Sequence, residues 1–313
     1  MRALLCPASL KGVLTAAQAA DALAAGFRRA GAEIEALPVA DGGEGTADAL
    51  FRALGGHWRA TGTVHDPLGR PVAASYLVLP DGAAVVESAA ALGLGLVAEN
   101  ERDPLRASSA GLGELLASVV AWHPRSVIVG VGGTATVDGG AGLRSVLPVW
   151  PDGVPLRVAC DVRSTLLDAA RVFAPQKGAT PEMVEELERR LAADEALAPY
   201  RDLRGAGAGG GLGAAFAALG GELVEGAELV LDAVGFDERA RSADLVVTGE
   251  GTVDATTFAG KAPGSVVRRC ERLGVPSVLF GGRVLVGDGR ALSGDPSRAR
   301  DDLEALGTSL GGR

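Results

Sequence analysis

The residues of this chain able to do chemistry fall in short segments, most of them rich in glycine. They are Ser9-Leu10-Lys11-Gly12, Asp41-Gly42-Gly43-Glu44-Gly45-Thr46, Cys160-Asp161, Lys177-Gly178, Glu250-Gly251 with Asp254, Gly260-Lys261 and, above all, residues 130–142, GVGGTATVDGGAG. In that last stretch Thr134, Thr136 and Asp138 alternate with small residues just after Gly132 and Gly133, so two hydroxyls and a carboxylate can share one side of an extended chain. Oriented N–H groups and hydroxyls suit phosphate oxygens, and a carboxylate suits a proton or Mg²⁺. Phosphoryl transfer needs this mixture. Ammonium and N–H groups neutralise the moving phosphoryl, carboxylates hold Mg²⁺, and one carboxylate accepts the proton of the attacking hydroxyl. The segments therefore read as a small-molecule kinase or phosphatase, against the plainer reading of glycine turns that only join strands to helices.

The lysines support the chemical reading. Of 30 basic residues only Lys11, Lys177 and Lys261 are lysines, and each adjoins a glycine. A compact ammonium on a flexible stem can follow a phosphoryl group as a point charge, which a planar guanidinium does less well. Other chemistries find less support. GxxxxGK[ST] is absent, and His57, His65 and His123 are isolated, which leaves no P-loop, serine triad or zinc site. Gly130, Gly132 and Ala135 satisfy GxGxxA, with Asp152 about 20 residues on, so an NAD-dependent dehydrogenase stays open as a rival. The stretch GAGAGGGLG (205–213) follows no buried strand and reads as a flexible glycine turn.

Composition bounds the rest. A net charge of -9 without a long basic run argues against nucleic acid. Cys6, Cys160 and Cys270 are odd in number and far apart, which suggests reduced thiols in a cytoplasm, and no apolar run is long enough for a membrane span.

The elements that must position these residues follow from periodicity. Strands are expected at 3–6, 34–39, 126–129, 156–162, 243–248 and 275–280. Helices are expected at 15–29, 47–54, 108–122, 180–193, 261–272 and 297–306, with antiparallel structure in two short runs over 61–87. Strands of like character at both termini suggest one sheet built from the two chain ends. The middle is then an insertion, with a ligand expected between the two parts.

The order of the motifs resembles the bacterial glycerate kinase family. Residues 7–12 resemble its PDSFKG loop, 41–46 reproduce its DGGEGT, and 132–142 resemble GGSATNDGGAG. Cys160-Asp161-Val162 matches CDV, 175–179 match PQKGA, and 248–263 are similar to TGEGRxDxQSxxGKxP. The resemblance implies a flavodoxin-like (Rossmann-like) parallel-sheet domain at 1–60 and 236–313 and a second α/β domain at 61–235. It also implies ATP- and Mg²⁺-dependent phosphorylation of D-glycerate or a related small hydroxy acid by a cytoplasmic monomer or homodimer.

Within that implication Ser9, Lys11, Gly132, Gly133, Lys177 and Lys261 contact phosphate or substrate, and Thr134 and Thr136 position a ligand. Asp161 with Glu250 holds Mg²⁺, and Asp41, Asp138 or Asp254 is the base. The chain departs from the family pattern at Ala8 (Asp), Ala110 (Tyr), Val137 (Asn), Ser164-Thr165 (Asn-Pro), Thr252 (Arg) and Thr256 (Gln). It is also shorter between Leu147 and Leu156 and after Gly282. Losing an arginine and amide or acid side chains removes part of a grip on carboxylate or triphosphate, so a scaffold that has lost catalysis and serves as a binding or regulatory protein is the alternative expectation.

Overall fold

The computed structural model describes residues 1–312. Its strands are β1 (Arg2–Pro7), β2 (Glu33–Ala36), β3 (His57–His65), β4 (Pro71–Val78), β5 (Ala83–Glu87), β6 (Ser126–Gly130), β7 (Leu156–Ala159), β8 (Glu222–Val224), β9 (Leu245–Val253), β10 (Ser277–Val284) and β11 (Arg290–Ala291). The chain divides into two compact α/β units. Unit 1 comprises residues 1–41, 48–54 and those from Gly226 on, and unit 2 comprises residues 42–47 and 55–225.

Unit 1 holds a five-stranded sheet in the order β11-β10-β9-β1-β2, every pair parallel. Its central strands are apolar runs because helices cover both faces, as all-parallel sheets require. β1 leads through the Ala16–Arg29 helix, opened by a capping box between Thr15 and Gln18, to β2 on one side. β9 leads through the Ala262–Leu273 helix to β10 on the other. The connections thus diverge between β1 and β9. In an open parallel sheet, the crevice beyond the carboxyl ends of two such strands is where ligands bind. The 16–29 helix packs on the Ala299–Gly311 helix so closely that a Cβ on Gly26 would fall 2.0 Å from the Glu304 carbonyl oxygen. Leu5, Leu23, Phe27, Val247, Phe280 and Leu303 form the core between them.

Unit 2 holds a six-stranded sheet in the order β3-β4-β5-β6-β7-β8. β3, β4 and β5 are antiparallel and β5 to β8 parallel. The Ala110–Ala121 helix buries Leu112, Leu115, Leu116 and Val119 on the core that also takes Val129, Val158 and Phe216.

Three expectations change. The 61–87 region holds three strands rather than two runs, with β3 starting at His57. β7 ends at Ala159, so Cys160 and Asp161 lie just past the strand. β9 runs on to Val253, which makes the expected loop of Gly249 to Val253 a strand. Pairing on both sides is the reason. Gly249 sits in register with Pro7 and with Phe280, and a Cβ there would fall 2.2 Å from the Phe280 carbonyl oxygen, so glycine marks a close strand contact instead of a turn. Among the described residues no helix is long and apolar enough to cross a membrane.

Candidate active site

In unit 2, β6 delivers residues 130–142 against two other glycine segments. A Cβ on Gly130 would lie 2.4 Å from the Gly42 carbonyl oxygen, and one on Gly132 would lie 2.7 Å from Gly43 Cα. On the opposite flank, a Cβ on Gly210 would lie 2.1 Å from the Thr136 carbonyl oxygen. Gly209, Gly210 and Gly211 all have left-handed backbone, with φ of 62°, 79° and 97°. The Thr134 hydroxyl donates to the Gly209 carbonyl at 3.2 Å, and the Gly139 N–H donates to the Gly210 carbonyl at 3.1 Å. The 205–213 stretch is therefore no flexible turn. It is the seat on which the central loop is fixed, and its role was missed in sequence because its partner lies some 70 residues away.

Further polar groups of this loop are engaged inside the unit. Lys177, in a short turn formed by Pro175–Lys177, is 4 % exposed. Its Nζ donates to the Thr134 hydroxyl at 3.2 Å and to the Thr136 carbonyl at 2.7 Å. Burial pushes its pKa down to about 7, with Asp138 pulling it partly back up. A neutral amine has two N–H donors, and two acceptors are present. Lys177 thus supports the loop from beneath rather than reaching outward to phosphate, and Thr134 and Thr136, 3 % and 0 % exposed, are part of the same internal wiring. The Thr136 hydroxyl is buried and has no hydrogen-bond partner among the described residues.

Asp138 takes a capping role. Its carboxylate accepts from the N–H groups of Ser109, Gly140 and Gly142 at 2.8, 3.0 and 3.1 Å and from the Ser109 hydroxyl at 2.7 Å. Those bonds tie the start of the Ala141–Val146 helix to that of the Ala110–Ala121 helix and occupy the lone pairs a base would use. The six-residue helix at Ala141 also begins nine residues after Gly132, so GxGxxA here opens no helix that could carry a dinucleotide pyrophosphate. Cys160 is buried, and burial with Asp161 alongside raises its thiol to about 11, which leaves it inert.

Unit 1 carries the charges at the β1/β9 switch. The loop after β1 is tied down by an N–H bond from Ala8 to the Gly249 carbonyl and by a bridge between Leu10 and Leu14. Ser9 and Lys11 are exposed on it, and the Lys11 ammonium has no partner among the described residues. Glu250 is 8 % exposed. It accepts from the Thr257 hydroxyl at 2.6 Å and from Lys261 Nζ at 3.0 Å. Asp254 lies 3.9 Å from the same ammonium, and the Thr256 hydroxyl and N–H hold its carboxyl below the usual range. Lys261 is the N-cap of the Ala262–Leu273 helix, a position whose free N–H groups favour an anion. Asp41 is half-buried, follows the Val39 N–H bond to the Pro7 carbonyl, and has no side-chain partner among the described residues.

The structure thus brings Ser9, Lys11, Asp41, Glu250, Asp254 and Lys261 into unit 1. Gly132, Gly133, Thr134, Thr136, Asp138, Asp161 and Lys177 fall in unit 2. Asp161 and Glu250, paired in the sequence reading as Mg²⁺ ligands, belong to different units. Thr257, which anchors Glu250, and Ser109, which anchors Asp138, were not singled out in sequence; isolated hydroxyl residues carry no local pattern.

The family model described as "Glycerate kinase family" matches residues 3–151 and 148–294. This chain belongs to the glycerate kinase family. It is 38% identical to a glycerate kinase of Bacillus subtilis (strain 168), covering 91% of this chain and 85% of that protein. It is 37% identical to a glycerate 2-kinase of Escherichia coli (strain K12), covering 90% and 85%. A crystal structure from Salmonella typhimurium LT2, of a protein described as a candidate glycerate kinase 2, superposes with a TM-score of 0.85 at 33% identity and covers 99% of this chain and 97% of that one. In this member of the glycerate kinase family the glycine motifs of unit 2 are packing surfaces for one another, and Lys11, Asp41, Glu250, Asp254 and Lys261 stand on unit 1.

Two outcomes test the wiring of the central loop. Gly210→Ala combines a left-handed backbone with a backbone clash and should lower stability by at least about 3 kcal/mol, while Gly220→Ala, where φ is 83° and no atom lies within 4 Å, should cost only about 1 kcal/mol. Equal losses in chemical denaturation would show that the close contact with Thr136 is absent. For Lys177, the folded pKa lies below the unfolded value, so above pH 7 the unfolded chain binds more protons and stability rises with pH up to about 10. Denaturation of the wild type and Lys177→Met at pH 7, 8, 9 and 10 should show the wild type gaining on the variant at up to roughly 1.4 kcal/mol per pH unit. A pH-independent difference would exclude the buried amine.

Proposed function

We propose that this chain transfers the terminal phosphoryl group of ATP to a hydroxyl of D-glycerate or a closely related small hydroxy acid. The observation that carries the reading is the Glu250–Lys261 pair at the N-terminus of the 262–273 helix, with Lys11 on the neighbouring loop, at the carboxyl edge of β1 and β9. The names of the relatives, glycerate kinase and glycerate 2-kinase, supply the substrate class.

The donor set fits a nucleotide with Mg²⁺. Among the described residues no three His, Cys, Asp or Glu side chains cluster into a metal cage. Mg²⁺ seldom uses such a cage; it keeps waters and phosphate oxygens and takes one or two carboxylates. Glu250 and Asp254 would be those carboxylates, and the ion would neutralise charge on the transferring group. Lys261 and Lys11 hold phosphate oxygens as point charges, and the N–H groups at the helix start add to the same field.

Three carboxylates compete for the role of base. Asp138 has its lone pairs committed to N–H and hydroxyl donors, and Asp254 is held ionised by Thr256. Asp41 alone of the three has no partner among the described residues, so it accepts the proton of the attacking hydroxyl as the new O–P bond forms and the bond to ADP breaks.

A coupled assay of ADP release with D-glycerate, ATP and Mg²⁺ tests this. The wild type should turn over at about 1–100 s⁻¹. Asp41→Asn should lower kcat by about 10²–10⁴-fold with little change in KM. Lys261→Met should lower kcat/KM by about 10²-fold or more. A wild-type rate no faster than that of Lys261→Met would reject the reading.

A further inference from the structure

We propose that Arg283 is a ligand-binding residue that grips an oxyanion, the carboxylate of the hydroxy acid or a phosphoryl oxygen of the nucleotide, from the strand next to Thr252. The inference rests on the reading above and adds a residue to the unit 1 site.

The register of β9 and β10 carries the argument. Glu250 faces Gly281 and Thr252 faces Arg283 across a parallel pair. Registered partners on neighbouring strands stand about 4.8 Å apart with side chains on the same face, and residues two apart on one strand share that face. Arg283 therefore stands one strand over from Thr252 and at the same height, just past a break in the ladder at Gly282, where a Cβ on Gly281 would fall 2.5 Å from the Arg283 carbonyl oxygen. Gly281 and Gly282 precede it, a Cβ on Gly282 would lie 2.7 Å from the Gly251 carbonyl oxygen, and a Cβ on Gly294 would lie 3.9 Å from Arg283 Cγ.

Charge points the same way. Lys261 is shared between Glu250 at 3.0 Å and Asp254 at 3.9 Å, so much of its charge is already answered. Arg283 is exposed and has no hydrogen bond or ion pair among the described residues. Arg2, Arg29, Arg239, Arg269 and Arg272 of the same unit each meet a carboxylate; Arg28, Arg241 and Arg290 are open as well, but none of these is in register with residues 250–252 of β9. An arginine left open one strand over from Thr252, at the carboxyl end of β10, provides the planar, two-pronged donor that an ammonium cannot. The motif that residues 248–263 resemble has an arginine at 252, where this chain has Thr in register with Arg283.

The test is a rescue. Arg283→Ala should weaken one ligand by at least about tenfold in KM with an unchanged thermal midpoint: a rise for D-glycerate identifies the carboxylate and a rise for ATP identifies the phosphate. Arg283→Lys should recover only part of the loss. Thr252→Arg in the Arg283→Ala background should bring KM back to within about threefold of wild type, which a merely structural role would not do. Calorimetric binding of ADP and of D-glycerate to the wild type and Arg283→Ala runs alongside. If the wild type shows no turnover, the kinase reading falls and the binding comparison still decides Arg283. Affinities for both ligands within twofold of wild type in Arg283→Ala, no binding of either by the wild type, or a loss that Thr252→Arg leaves uncorrected would overturn the proposal.

Discussion

Peptide planes from three distant parts of the chain touch with no side chain between them, and the shape of the central loop depends on that contact. Residues 42–43 press on Gly130 and Gly132, and residues 209–211 press on Thr136 and Gly139. A methyl group at Gly130, Gly132 or Gly210 would overlap backbone, so each glycine run is required by the other two. Backbone brought this close must also satisfy its polar groups away from water. The bonds from Gly139 N–H to the Gly210 carbonyl and from the Thr134 hydroxyl to the Gly209 carbonyl do so, and Lys177 answers the Thr136 carbonyl.

This arrangement divides the labour of the charged and polar groups. In unit 2 they are directed inward: Asp138 to the starts of two helices, Lys177 to the underside of the loop, Thr134 to both Lys177 and Gly209. Such groups fix geometry and, being buried, would lose far more by being left unpaired than they contribute as pairs. In unit 1 the balance is reversed. The Glu250–Lys261 pair sits at a helix N-terminus, where a cation is out of place unless an anion joins it, while Lys11, Asp41 and Arg283 are left open.

The sequence showed the parts of this plan whose signals are local. The helix start at Thr15, the buried strand at β1, the helix behind Lys261 and the glycine-flanked lysines all carry their information within a few residues. Both chain ends forming one parallel sheet was legible from their like character, and the family from the order of the motifs. What stayed hidden was partnership at a distance. GAGAGGGLG has the composition of a hinge and the function of a seat, because its rigidity comes from residues 131–139. Glu250 and Thr252 read as a glycine loop, since nothing in β9 itself reveals that β1 and β10 flank it on both sides. Asp138 had the right type and spacing for a base, and only the donors around it, Ser109 among them, give it another task.

The three lysines show how far a residue's neighbours determine its chemistry. Gly12, Gly178 and Gly260 all have positive φ, at 76°, 94° and 138°, so each lysine projects from a turn that an ordinary residue would strain. That shared backbone requirement explains the adjacency seen in the sequence. The chemistry then diverges with burial alone. Lys11 is open to water, Lys261 is partly answered by Glu250, and Lys177, sealed under the loop, has its pKa pushed down to about 7 by burial. One side-chain type therefore takes three forms: an open side chain on a loop, one half of a charge pair at a helix start, and a buried prop of the scaffold. Arginine could take the second form but not the third, because a guanidinium keeps its charge under burial whereas an amine can give up its proton and remain a hydrogen-bond donor. In a chain that otherwise uses arginine for nearly all its positive charge, that difference supplies a physical reason for lysine at 177.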